Sequence, residues 1–257
     1  MADDKLSGNV KTAYDEFYKT HDEAWRMLGA KYKAQHIIDV CQGFTFNKVL
    51  EVGAGDGSIL KILSEKNFAP EYHAVEISES GVSYIQSRQI QSLKSVQVFD
   101  GYHLPYPDDS VDLIILSHVL EHVEHERLLL RELKRVAKMC VIEVPRDYKT
   151  NVDDRIKHFL AYGHINVYTP TSLRYLLRTE GFEIMKDLTS MIEPEVTQFN
   201  AYINLKKPKS FVTDLKIKAE YAVKNAMGNL MGKRKQEQLA NAYTVLCSKT
   251  NQQTEIF

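Results

Sequence analysis

The sequence predicts an open α/β fold, a seven-stranded, mostly parallel sheet with helices on both faces. Two observations carry this. Short β-branched runs alternate with helical periodicities over residues 48–182, and parallel neighbours need such crossovers. The run VDLIILSH (111–118) is apolar without alternation, as a strand covered on both faces must be. A third observation marks where such a sheet keeps its ligand. KVLEVGAGDG (48–57) passes straight from a strand into three glycines at every second position, with acids flanking the turn.

Residues 8 to about 42 place Val10, Tyr14, Phe17, Tyr18, Trp25, Leu28, Tyr32 and Ile37 at helical spacing. KVLEV (48–52) is strand one, stopped by glycine. SILKILSEK (58–66) is a helix that turns Ile59, Leu60, Ile62 and Leu63 to the core. Strand two is EYHAVEIS (71–78), a helix covers 80–90, strand three is SVQVFD (95–100) and strand four is 111–118. An amphipathic helix over 126–137, strand five over 139–145 and a helix over 171–182 follow, the last stopped at Gly181. Strands six (183–190) and seven (242–250) break the alternation, with about fifty helical, basic residues between them. The organisation is one domain: an N-terminal helical lid (1–47), a core (48–205), a helical basic insertion (206–241), then the last strand and tail (242–257).

The composition is that of an ordinary globular chain, with 44% hydrophobic and 26% charged residues among 257. A net charge of -1 provides no global field to draw nucleic acid. The start lacks the basic and apolar regions of a signal peptide, and no apolar run reaches the length of a membrane span. Cys41, Cys140 and Cys247 are too few and too scattered for a disulfide framework or a structural zinc site, so a reducing cytoplasm is expected.

In an open α/β sheet the ligand lies at the carboxyl ends of the strands, where strand order reverses. Gly53, Gly55 and Gly57 stand there. The dinucleotide fingerprint needs glycine where Ser58 stands, and Lys61 is off the phosphate-loop pattern. Glu51 and Asp56 would repel phosphate, and they suit a ligand with positive charge and hydroxyls. S-adenosylmethionine has a sulfonium, an amino group, a ribose diol and no phosphate. Glu76, ending strand two, can accept from both ribose hydroxyls, and Asp100, ending strand three, from the adenine amine beside the Gly101–Tyr102 backbone.

EVGAGDG, AVEIS, FDGYHLPYPDDSVDLIILSHVLEHV and EGFEI occur in this order, and over roughly residues 10–190 and strand seven the chain resembles the class I S-adenosylmethionine-dependent methyltransferases, in the branch acting mostly on small molecules. The resemblance implies a Rossmann-like core. It implies a loop of Glu51, Gly53, Ala54, Gly55 and Gly57 under the methionine, Glu76 and Ile77 at the ribose, Asp100, Gly101 and Tyr102 at the adenine, and Ser117 and His118 near the methyl. It makes Tyr14, Tyr18 and Trp25 lid residues, although their helical spacing equally fits a core stripe. A non-catalytic binding module of the same fold is the competing reading.

HVLEH (118–122) also matches H-x-x-E-H, an inverted zinc-protease signature. That motif needs a long helix, whereas this one begins directly off a buried strand, so no metal is expected. His122 is expected to orient the following helix, and Glu143 ends a strand on the substrate side. Methyl transfer is an in-line displacement that expels a neutral thioether, and alignment is the main contribution, worth roughly 7–11 kcal/mol in favourable cases. A base is needed only to deprotonate an acceptor; His158, His164 and His118 are the candidates, in that order. The aromatic, neutral KHFLAYGHI (157–165) favours a small acceptor over nucleic acid, by O- or N-methylation of a metabolite. The stretch 163–182 also resembles methyltransferases found beside bacterial glycan enzymes, which points to sugar-containing compounds.

The segment 206–235 has nine Lys/Arg against Asp214 and Glu220. Val212, Leu215, Ala219, Ala222, Ala226 and Leu230 form one apolar helix face. Packing on the chain's own domain or in a homodimer is expected, with docking on an anionic membrane or acidic partner as the alternative.

Overall fold

The computed structural model describes residues 23–148 and 152–250. Tyr14 and Tyr18 lie outside the described residues. The elements run α1 (Glu23–Val40), β1 (Lys48–Val52), α2 (Ser58–Glu65), β2 (Glu71–Glu76), α3 (Glu79–Ser87), β3 (Leu93–Val98), β4 (Val111–Ser117), α4 (Glu126–Val136) and β5 (Ala137–Pro145). They continue with α5 (Ile156–Tyr162), α6 (Pro170–Thr179), β6 (Phe182–Ser190), α7 (Pro194–Phe199), α8 (Phe211–Met231), α9 (Lys233–Leu239) and β7 (Ala242–Lys249).

The seven strands form one sheet in the order β3-β2-β1-β4-β5-β7-β6. β1 to β5 pair in parallel, and β7 enters antiparallel to both β5 and β6. Strand order reverses between β1 and β4, which opens a crevice at their carboxyl ends. The expected fold class is therefore the observed one, with β3 ending two residues before Asp100.

The uninterrupted apolar strands follow from burial on two sides. Leu50, Val52, Ile114, Leu116 and Ile142 pack with Leu129, Leu130 and Leu133 of α4 and Leu173 and Leu177 of α6. Val49, Leu113, Ile115 and Val141 pack on the opposite face, with Ala34 and Ile37 of α1 and Leu60 and Leu63 of α2. Alternate residues of a strand point to opposite faces, so each of these strands feeds both cores. Cys41, Cys140 and Cys247 are free and buried.

Of the two packings expected for the insertion, the apolar stripe does not make the one on the chain's own domain. The insertion's inward face is polar: Asp214 accepts from Gln198 and Tyr202, and the Tyr221 hydroxyl donates to Glu193. The expected apolar stripe faces outward, with Val212 at 74% and Leu230 at 86% exposure, and none of the described residues covers it. Hydrogen bonds and charge, not apolar burial, seat the insertion. Asp187 of β6 accepts from Lys233, Arg174 and Tyr243, while Arg174 also reaches Glu237.

A second polar clamp closes α1 over the sheet. Asp56 accepts from Arg26 of α1 at 2.8 Å and from Arg88, just past α3, at 2.6 Å. The other oxygen takes the Ser58 amide and hydroxyl. Burial opposes charge on Asp56, but Ser58 and the two guanidiniums outweigh it and hold the carboxyl below its usual value. Asp56→Ala leaves two largely buried guanidiniums without this partner and should lower stability by about 3 kcal/mol. Because the folded pKa is depressed, this contribution is complete above the unfolded value of about 3.9 and is lost as the pH falls below it. Denaturant unfolding of both proteins between about pH 3 and pH 8 tests this. An undiminished difference at the acidic end would contradict the clamp.

Candidate active site

The glycine loop leaves β1 and is held by the neighbouring strand. The Gly53 and Ala54 amides donate to the Val75 carbonyl at 2.9 and 3.2 Å. Gly53 has φ 69° and no room for a side chain, since a Cβ there would lie 2.6 Å from a methyl of Val119. Glu76 reaches back across the turn: one carboxylate oxygen accepts from the Gly55 amide at 2.9 Å, the other from the Ser78 amide and hydroxyl at 3.3 Å. Burial pushes its carboxyl up despite these bonds. Glu76 thus fixes the loop's shape, a role that was not read from the sequence.

The two loop acids behave differently. Asp56 is paired with Arg26 and Arg88, so its carboxylate is committed to holding helices rather than open to a ligand. Glu51 is 2% exposed and one of its oxygens lacks a hydrogen-bond partner. Burial, with Asp56 nearby, pushes its carboxyl well up. An orphaned buried carboxylate oxygen beside the loop fits the ammonium end of an adenosylmethionine molecule.

Beyond β3, Asp100 closes a turn by accepting from the Tyr102 and His103 amides at 2.9 and 2.7 Å, and its second oxygen meets the His103 ring at 2.8 Å. Burial works against its charge, yet these donors keep the carboxyl below its usual value. The Tyr102 ring is buried in the core, its hydroxyl accepting from the His125 amide, so only its backbone is left for a ligand. Ile77 packs on the same core. Trp25 meets Phe199 of α7 at 5.4 Å between ring centroids.

A second buried network is built around Glu143, 1% exposed near the end of β5. One oxygen meets His36 of α1 at 2.9 Å and Thr244 of β7 at 2.6 Å; the other meets His118 at 3.2 Å and Ser117 at 3.4 Å. Burial opposes its charge, but the imidazoles of His118 and His36 hold the carboxyl far below the usual range. His118 sits at φ 57°, a left-handed backbone that costs a non-glycine residue energy. That bend carries its ring between two carboxylates, with Nδ1 also 3.2 Å from Glu121. Burial and Lys33 lower its pKa, but Glu121 and Glu143 prevail and raise it.

The network continues outward. The His122 ring donates through Nδ1 to the Gly163 carbonyl at 3.0 Å, and burial lowers its pKa. His164 pairs through Nδ1 with Asp147 at 2.5 Å, and the His122 and His164 rings stand edge to face, 4.9 Å apart. Ser117, His118 and His164 therefore belong to one connected region. His158 lies in α5, and its side chain is outside the described residues. H-x-x-E-H does not form the protease geometry: Leu120–His122 is a single 3-10 turn, and His118 precedes it at a left-handed backbone position, so the two histidines do not share one face of a long helix. Sequence reading missed His36, whose helical stripe reads as core, and Asp147, which follows β5 without a motif.

A methyltransferase-domain family model matches residues 26–186. The Bacillus subtilis (strain 168) protein YrhH is 26% identical over 132 residues, 49% of this chain and 73% of that one. The ajmaline N-methyltransferase of Rauvolfia serpentina is 30% identical over 93 residues, and this chain spans only 32% of its length. A SAM-dependent methyltransferase structure from Archaeoglobus fulgidus aligns at TM-score 0.58 and 19% identity over 91% of this chain and 100% of that one, a likeness of fold. No helix among the described residues is long and apolar enough to cross a membrane. The family match spans more than half of the chain, from α1 into β6, and encloses both the glycine loop and the strand reversal; the chain belongs to the methyltransferase-domain family.

Proposed function

We propose that the chain methylates a hydroxyl or amine of a small-molecule acceptor, bound between the Glu143–His118 network and the segment 157–168. The observation that carries this reading is the linked set Glu143, His118, Glu121, His122, His164 and Asp147, which opens from the strand ends beside the glycine loop. Phe159 and Tyr168 are buried behind it. Three carboxylates interleaved with three imidazoles beside buried aromatic rings suit a polar group on a partly apolar molecule more than a polyanion.

When bound, S-adenosylmethionine supplies an activated methyl on sulfur. Glu51 would take its ammonium, and the Gly53, Ala54, Gly55 and Gly57 backbone would lie under the methionine. Glu76 and Ile77 would hold the ribose, since the Glu76 oxygen bonded to the Gly55 amide keeps a second lone pair. Asp100, Gly101 and the Tyr102 backbone would hold the adenine, with Ser117 and His118 below the methyl. His118, drawn toward its charged form by two carboxylates, is better suited to orienting an acceptor than to removing its proton.

Labelled methyl transfer to pools of small hydroxylated and amine metabolites, set beside RNA and protein substrates, tests the acceptor class. Label in the small pool is expected; label confined to macromolecules would overturn the reading. Glu76→Ala should weaken adenosylmethionine binding about tenfold or more, because charge-assisted hydrogen bonds contribute roughly 1.5–3 kcal/mol each. An analogue without ribose hydroxyls should bind wild type poorly and lose much less on the substitution. Equal losses by calorimetry would mean that Glu76 acts only through the loop. Gly55→Val places a branched side chain at φ 60° where the backbone meets the ligand; binding should disappear while cooperative unfolding persists. Retained affinity would place the ligand elsewhere.

A further inference from the structure

We propose that Glu121, His122 and His164 form a site for one divalent transition-metal ion, and that this ion holds the acceptor's hydroxyl for methylation. The second half rests on the methyl-transfer reading; the first does not. One ligand atom from each of the three residues lies within 4.8 Å of the other two. Two imidazoles and one carboxylate are a donor set for zinc, iron or manganese, whereas magnesium and calcium favour oxygen alone.

Two further observations point to a cation. Glu121 is fully buried, and neither carboxylate oxygen has a hydrogen-bond partner. His118 Nδ1 at 3.2 Å and His122 Nε2 at 3.9 Å both approach the same oxygen, and the other oxygen has no donor among the described residues. A buried carboxylate oxygen without a donor is costly, and a cation would meet it. The outer bonds of both histidines also match a metal centre. His122 donates Nδ1–H to the Gly163 carbonyl and His164 directs Nδ1 to the Asp147 carboxylate, the partners that orient metal-bound imidazoles. Ligation would then fall to Nε2 of each ring.

The backbone already brings the two ligand segments together. The Ile165 and Asn166 amides donate to the Glu121 carbonyl at 2.9 and 3.0 Å, and the Asn166 side chain donates to the Leu120 and Val123 carbonyls. His164 is therefore stapled against the turn that carries Glu121 and His122. Bonds of 2.0–2.1 Å in tetrahedral geometry would draw the three atoms to about 3.3 Å of one another, a shift within reach of side-chain rotation. Three protein ligands leave a position for an acceptor oxygen, and a bound cation lowers the pKa of a hydroxyl as it does that of water. The acceptor O–H gives its proton to solvent, its oxygen lone pair forms the bond to the methyl carbon, and the sulfur–methyl bond breaks with its electron pair returning to sulfur.

The test uses the full chain, dialysed against a chelator. Mn(II) is titrated by electron paramagnetic resonance with no acceptor present, then displaced with Zn(II) and with Mg(II). One bound Mn(II) per chain is expected, displaced by Zn(II) and not by equal Mg(II). His164→Ala and Glu121→Gln should each weaken binding at least 100-fold, and Asp147→Asn roughly 10–100-fold. Adenosylmethionine affinity, measured on the same variants, reports that they are folded. No Mn(II) or Zn(II) binding by wild type, or unchanged binding in folded His164→Ala, overturns the site. Ion binding together with methyl transfer that a chelator does not slow overturns the acceptor role alone.

Discussion

A carboxylate removed from water must be matched by donors from its neighbours, and Glu143 meets that demand by binding four residues from three parts of the chain at once. His36 comes from α1, Ser117 and His118 from the end of β4, and Thr244 from β7. No local segment could supply this set, because the partners lie as far as 107 residues away in sequence. The charge is stable only when helix, parallel strands and antiparallel closing strand are all in place. Losing one partner would leave the rest of the cluster with a buried charge poorly compensated.

The same constraint accounts for the strained backbone at His118. Burying Glu143 and Glu121 close together is unfavourable without positive charge between them, and the left-handed turn at φ 57° delivers an imidazole to that point. The glycine loop shows a gentler version. Glu76 is held by the amide of Gly55, so the strand carrying one acid also sets the loop that follows the neighbouring strand. In both places the backbone conformation and the buried charge require each other.

Polar contacts also decide how the periphery attaches. Asp56 joins α1 to the end of α3 through two guanidiniums, and Asp187 joins β6 to α6, α9 and β7. Helices α8 and α9 of the insertion bury little apolar surface against the sheet. That is why the apolar stripe of α8 could face away from the chain, against the simplest reading of its periodicity.

The fold was legible in the sequence because it rests on local signals. Strand one was read at its observed limits, Val111–Ser117 was recognised as buried on both faces, and the last two strands were separated correctly from the parallel set. That the acids near the ends of β1, β2 and β3 lie at one end of the sheet was likewise legible, since parallel strands bring their carboxyl ends together whatever lies between them. Tertiary structure alone decided what those acids do. Nothing within Asp56 or Glu51 distinguishes a clamp from a candidate ligand group; the difference is that two arginines, 30 and 32 residues away, reach only the first. Likewise His36 and Asp147 carry no motif, and their meaning arises when a helix and a loop distant in sequence place them on Glu143 and His164. Periodicity and turn chemistry act over a few residues, whereas the pairing of buried charges is settled by which elements the folded sheet brings within hydrogen-bond reach.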